Sequence, residues 1–99
     1  MDANDIADVF VLPASLDLAA AAPLKETLLT RRGQKICVDG TNVARAGVPC
    51  LQVLLAARQT WVDDQIEWVS RSFSVELVTA LQELGIGLGR LGLDKESAK

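Results

Sequence analysis

Short apolar runs alternate with longer stretches of helical character along this chain. Runs that are typical of buried strands occupy residues 9–12, 35–38 and 66–69. Helices are predicted for residues 18–32, 49–62 and 75–84. Strands that alternate with helices imply right-handed crossovers, so the pattern predicts an α/β fold with a small, mostly parallel sheet.

Capping residues set the predicted ends of the helices. Asp17 is placed to cap the first helix, because its carboxylate can accept free backbone N–H groups. Pro23 is tolerated only in a first turn, so we expect regular helix to start near Ala20 or Ala21. The glycines expected to end the first and third helices are Gly33 and Gly85. The candidate caps of the third helix are Ser72 and Ser74.

The second helix, which begins near Pro49, is apolar on nearly all sides. Such a helix is packed on more than one side, here by a flanking helix or by a partner protein. Trp61 and Trp68 flank a polar turn after this helix. We expect one of them in the core and the other partly exposed on a contact surface.

The chain of 99 residues is long enough for one domain. We expect a flexible N-terminus at residues 1–8, the domain at 9–86, and a last short strand or loose tail at 87–99. The first residues lack the apolar segment of a signal peptide, and the most apolar stretch, residues 43–57, is too short to span a bilayer. A cytoplasmic protein is therefore expected.

Composition argues against several functional classes. The net charge is −3, whereas nucleic-acid binders usually carry a basic patch. The chain has no histidine, the commonest metal ligand and general base, so neither a metal site nor a cofactor is expected. Cys37 and Cys50 lie in apolar runs and are interpreted as small buried side chains. Cys50 falls in the first turn of a helix, which lowers a thiol pKa, but the sequence offers it no base. We therefore expect a protein that is not an enzyme.

The loop after the second strand is the strongest candidate for a functional surface. Ligands of open α/β sheets bind beyond the carboxyl ends of the strands, and Asp39 ends such a strand here. Asp39 is either a functional carboxylate or an acceptor for N–H groups of the loop, and the two roles are compatible. Thr41 and Asn42 can support the same loop by local hydrogen bonds.

Four segments of the chain resemble the STAS domain, the domain of sulfate transporters and anti-sigma-factor antagonists. They read VFVLPASLDLAAAAPLKETLL, KICVDGTNV, GVPCLQVLLAA and ALQELGI. The resemblance covers about residues 9–86 and is closest to the small stand-alone STAS proteins of bacterial chemotaxis gene clusters. It implies a small mixed sheet with helices packed mainly on one face.

In phospho-switched STAS proteins a partner kinase phosphorylates the serine of an Asp-Ser pair just before the second helix. The matching positions here are Gly47 and Val48, and valine has no hydroxyl to accept a phosphoryl group. Asp39 and Thr41 match the Asp-x-Ser/Thr pattern at the strand end, which leaves Thr41 as a non-standard acceptor. The resemblance thus implies a binding module whose usual switch is absent or moved.

The expected function is that of a non-enzymatic adaptor that binds the chemotaxis histidine kinase and modulates phosphoryl flow to a response regulator. An anti-sigma-factor antagonist that binds an anti-sigma kinase, and the STAS subunit of a lipid-transport ATP-binding-cassette ATPase, are the alternatives. No nucleic acid and no direct membrane insertion are expected. The residues expected to contact the partner are Asp39, Thr41, Asn42, Arg45, Gly47, Val48, Cys50 and Gln52.

Overall fold

The structure is a computed structural model that describes residues 8–92. Its elements are β1 (Asp8–Val11), β2 (Ser15–Leu16), α1 (Leu18–Thr30), β3 (Ile36–Asp39), β4 (Arg45–Ala46), α2 (Val48–Asp63), β5 (Trp68–Arg71), α3 (Val75–Glu83) and a 3-10 helix (Leu88–Leu91). The three predicted helices and the three longer strands are all present, so the α/β fold class is confirmed.

The main sheet has the order β1-β3-β5, and both of its strand pairs are parallel. Its register places Val11, Asp39 and Arg71 side by side at the carboxyl end. A second parallel sheet pairs β2 with β4, with Leu16 opposite Ala46. The sequence predicted a turn at β2 and a loop at β4, because two-residue strands carry no periodicity.

The core lies on one face of the main sheet. Ile36, Val38 and Trp68 are buried in one cluster with the inward side chains of all three helices. Val11 and Val69 occupy the alternate positions and are 47% and 37% exposed. Since successive side chains of a strand point to opposite faces, the helices pack mainly on one face of this sheet.

The start of α1 differs from the prediction. The Asp17 carboxylate accepts a hydrogen bond of 3.1 Å from the Ala20 N–H, so the cap is confirmed, but the helix begins at Leu18. Pro23 lies inside the helix and removes one backbone hydrogen bond. The helix ends at the cap Arg31, and Gly33, with φ +89°, lies in the turn beyond it.

Helix α2 begins at Val48 with proline in its first turn, as predicted. It packs against α1, β5 and the 3-10 helix, so the expectation of packing on more than one side is confirmed. Both tryptophans are buried, with Trp61 2% and Trp68 8% exposed. Their rings meet edge to face at 5.4 Å between centroids. The expectation that one tryptophan is partly exposed was therefore wrong.

Strand β5 begins at Trp68, two residues later than predicted. The backbone N–H of Ile66 donates to Trp61 O at 3.0 Å, and Gln65 adopts a φ of +60°, so the turn after α2 extends further than its polar residues indicate. This shift places Arg71 in the strand rather than in the connection that follows.

The C-terminal part of the described chain belongs to the core. Ser74 caps α3, and Gly85, with φ +72°, follows its end as predicted. Leu84, expected on the inner stripe of α3, is 45% exposed. Leu91 of the 3-10 helix is 1% exposed, and its carbonyl accepts a hydrogen bond from the Ser70 hydroxyl. The prediction of a strand or loose tail that begins at residue 87 is therefore wrong for the residues up to Gly92.

Residues 1–7 of the expected flexible N-terminus and residues 93–99 of the expected tail lie outside the described residues. Within residues 8–92, none of the helices combines the length and the apolar character that crossing a membrane requires.

Candidate functional site

The three strands of the main sheet end at a common edge, and the candidate loop starts there. The backbone N–H of Leu12 donates to Asp39 O at 2.8 Å, and the N–H of Gly40 donates to Arg71 O at 3.2 Å. The loop of residues 40–44 therefore lies beyond the carboxyl ends of parallel strands, where the sequence predicted a functional surface.

Hydrogen bonds hold this loop against the start of α3. The Gly40 carbonyl accepts bonds from the N–H groups of Val43, at 3.3 Å, and Ser74, at 3.0 Å. The Ser74 hydroxyl donates to Val43 O at 2.6 Å and accepts from the Leu77 N–H at 3.1 Å. One serine thus caps the helix and fixes the loop.

Gly40 allows the loop and α3 to approach each other closely. A Cβ atom at this position would lie 2.8 Å from side-chain atoms of both Leu77 and Phe73, which is shorter than real carbon contacts. Phe73 and Leu77 are buried, so a larger residue at position 40 would force side chains to shift within a close-packed core. The packing therefore favours glycine here.

Asp39 accepts two hydrogen bonds at the head of the loop. Its Oδ1 accepts from the backbone N–H of Thr41 at 2.8 Å, and its Oδ2 accepts from Arg71 Nε at 3.3 Å. Hydrogen bonding by Thr41, with a smaller contribution from the Arg71 guanidinium, holds the pKa of Asp39 below its usual value. The interpretation of Asp39 as an acceptor for the loop is confirmed, and a direct contact with a partner stays a prediction.

The short β2–β4 sheet sets α1 and α2 side by side. The N–H groups of Ala44 and Arg45 both donate to Ala14 O, at 2.8 and 3.1 Å, and the Gly47 N–H donates to Leu16 O at 2.8 Å. Because each helix begins two residues after its strand, the two helix N-termini are neighbours.

Cys50 joins these two N-termini from inside the protein. Its thiol donates to the Asp17 carbonyl at 3.1 Å, and its side chain has no exposed area. Burial raises the pKa of the Cys50 thiol, with a smaller contribution from the nearby Asp17 carboxylate. The expected lowering of this pKa was wrong, because burial disfavours the charged thiolate and shifts the pKa in the opposite direction. The prediction that Cys50 contacts the partner was also wrong, because the side chain is buried and a docked partner cannot reach it.

Cys37 is buried as well, and burial is the main cause that raises its pKa. Neither cysteine forms a disulfide. The interpretation of both as small buried side chains is confirmed.

Four of the predicted contact residues are exposed and lie within eight positions of one another: Thr41, Asn42, Arg45 and Val48. We call these four residues the loop surface. Val48 is 44% exposed in the first turn of α2. Gln52 is also exposed and lies one turn further along the same face of the helix. Gly47 is partly buried at the helix N-cap and provides no side-chain cap.

The site also includes Arg71 and Ser74, which the sequence did not assign to it. Ser74 was identified as a helix cap, but its second bond to the loop has no signal in the sequence. Arg71 was missed because the two-residue shift of β5 changes which residue lies beside Asp39.

Within the described part of the chain, no three acidic or cysteine side chains are grouped so that they can hold a metal ion. No protein-family model matches the chain, and no curated protein matches its sequence.

Proposed function

We propose that the chain is a non-enzymatic STAS-type adaptor that binds a cytoplasmic protein through the loop surface. The observation that carries this proposal is a loop with exposed polar side chains, Thr41 and Asn42, that is held by hydrogen bonds on both sides and leads through β4 to the N-terminus of α2. A loop fixed before binding loses little conformational entropy when a partner docks, which favours affinity.

The state of the two most reactive groups supports binding rather than catalysis. The Asp39 carboxylate already accepts bonds from Thr41 and Arg71, and its lowered pKa makes it a weak base. The Cys50 thiol is buried, and its raised pKa makes it a weak nucleophile at neutral pH.

The proposed partner is the chemotaxis histidine kinase, whose phosphoryl flow to a response regulator the adaptor would modulate. The support for this choice is the resemblance of residues 9–86 to stand-alone STAS proteins of chemotaxis gene clusters. Val48 occupies the position of the usual phosphoacceptor and is exposed. Because valine cannot be phosphorylated, binding through this position is constitutive in the proposal.

The test is a pull-down from the native cytoplasm with this protein as bait, read by mass spectrometry. The proposal expects recovery of the chemotaxis kinase and its loss with Asp39→Lys or Gly47→Lys. Glu67→Lys is the matched control, because it reverses an exposed carboxylate at the amino end of β5, the opposite edge of the sheet. Recovery of an anti-sigma kinase or of a transport ATPase would replace the proposed partner.

A kinase assay separates the adaptor from the anti-sigma-factor antagonist. The adaptor proposal expects no labelling of the native chain and a gain of labelling with Val48→Thr, which places a hydroxyl at the first turn of α2. Labelling of the native chain that is abolished by Thr41→Val would favour the antagonist, with Thr41 as acceptor.

A further inference from the structure

A groove of about 390 Å³ runs between α1 and α2 on the outside of the domain. Its lining consists mainly of small and aliphatic side chains. No sequence pattern predicts the groove, because its alanines resemble ordinary helix formers. The residues that line it are Ala21, Lys25, Leu28, Leu29, Pro49, Gln52, Val53, Ala56, Ala57, Thr60 and Trp61.

The length of the groove matches a short helix. On α2 the lining extends from Pro49 to Trp61, which corresponds to roughly 18 Å at about 1.5 Å per residue. Ala21, Ala56 and Ala57 are small, so a second helix can approach closely at these positions. Amphipathic helices dock in such grooves through apolar side chains spaced three and four residues apart.

A charged side chain in the groove indicates which charge a docked helix should carry. Among the described residues that line the groove, Lys25 is the one ionisable side chain, and it is exposed. Lys25 belongs to neither of two ion pairs of the described residues, the pair of Arg32 with Asp64 and the pair of Arg71 with Asp39. An acidic side chain on a docked helix would complement it.

We propose that the α1–α2 groove is a second docking surface, which takes an amphipathic helix of a partner protein with aliphatic anchors and an acidic side chain directed at Lys25. This inference adds a surface to the proposed function and does not require the partner to be a chemotaxis kinase. Gln52 borders both surfaces, so one partner can occupy the loop surface and the groove together.

The test uses two synthetic three-turn peptides with leucine at positions spaced by three and four residues. The peptides are identical except for a central glutamate or lysine. Amide shifts in NMR spectra of the labelled protein report where each peptide binds. The expected result is perturbation of Ala21, Ala56 and Ala57, with binding about fivefold tighter for the glutamate peptide. Lys25→Glu should reverse that preference.

A pair of variants checks that the groove itself is occupied. Ala56→Gln fills the groove and should abolish binding of both peptides. Ala22→Gln changes an exposed alanine of α1 outside the lining and should leave binding unchanged.

Three results would overturn the inference. The first is an absence of peptide binding, and the second is binding whose charge preference does not depend on Lys25. The third is a dimer in sedimentation that Ala56→Gln converts to a monomer, because the groove would then hold a second copy of this chain. In each case, the pull-down still tests the proposed function separately. Recovery of the kinase that is lost with Asp39→Lys would support that function.

Discussion

The backbone N–H of Thr41 donates a hydrogen bond of 2.8 Å to the carboxylate of Asp39, two residues before it. Arg71 Nε approaches the other oxygen of the same carboxylate at 3.3 Å. The carboxylate therefore links the loop to the neighbouring strand.

The stability that Asp39 contributes should depend on pH. Its pKa in the folded protein is lowered, so the contribution is present above the unfolded value of about 3.9 and is lost as the pH falls through the folded value. Asp39→Asn should lower the free energy of unfolding by about 1 kcal/mol at neutral pH.

Urea denaturation of both proteins at several pH values measures this contribution. The difference between them should be constant above roughly pH 5 and shrink below roughly pH 4. Asp64, whose pKa is also lowered, is present in both proteins and cancels in the comparison. A difference that grows in acid would contradict the assignment.

Gly40→Ala should destabilise the protein by about 1–3 kcal/mol, because the added methyl group would overlap the buried side chains of Phe73 and Leu77. Gly89→Ala is the control, since a Cβ at that position meets nothing within 4 Å, and its effect should stay within about 0.5 kcal/mol. Thermal unfolding compares the two. Equal midpoints would show that α3 does not pack on the loop as closely as described.

Leu91→Ala should cost about 2–4 kcal/mol, because it leaves a cavity in the core beneath the 3-10 helix. Leu84→Ala removes the same atoms from a side chain that is 45% exposed and should cost less than about 1 kcal/mol. Chemical denaturation of both variants gives the comparison. If Leu91→Ala were as mild as Leu84→Ala, the C-terminal 3-10 helix would not belong to the core.

The longer elements were predictable because each had its own local signal. The apolar runs predicted β1 and β3. Asp17 and Ser74 were correctly predicted to cap helices. The position of the loop beyond β3 followed from the strand and from the polar residues after it. These features depend on local chemistry and on the alternation of strands and helices.

The other features depend on contacts between distant residues. Strands β2 and β4 have two residues each and exist only because they pair with each other. Leu91 joins the core through the fold of the chain rather than through any periodic pattern. The raised pKa of Cys50 follows from burial, which its position at a helix N-terminus does not reveal.

The two thiols should react slowly with an aromatic disulfide reagent in the native protein. Cys50 has no exposed area and Cys37 is 6% exposed, and burial raises the pKa of each. Reaction should therefore be limited by opening of the structure and should accelerate in urea. Rapid modification of Cys50 in buffer would show that the N-terminus of α2 opens readily, in conflict with its bond to Asp17.

Binding of the chemotaxis histidine kinase through the loop surface can be tested by titration calorimetry, which measures the affinity of the kinase for the native protein and for two lysine variants. Val48 and Val62 lie at opposite ends of α2 and are 44% and 47% exposed. Val62→Lys therefore controls for the replacement of an exposed valine of α2 by lysine. We expect that the native protein binds the kinase, that Val48→Lys weakens this binding by roughly tenfold or more, and that Val62→Lys does not weaken it. No binding by the native protein, or equal effects of the two variants, would contradict this expectation.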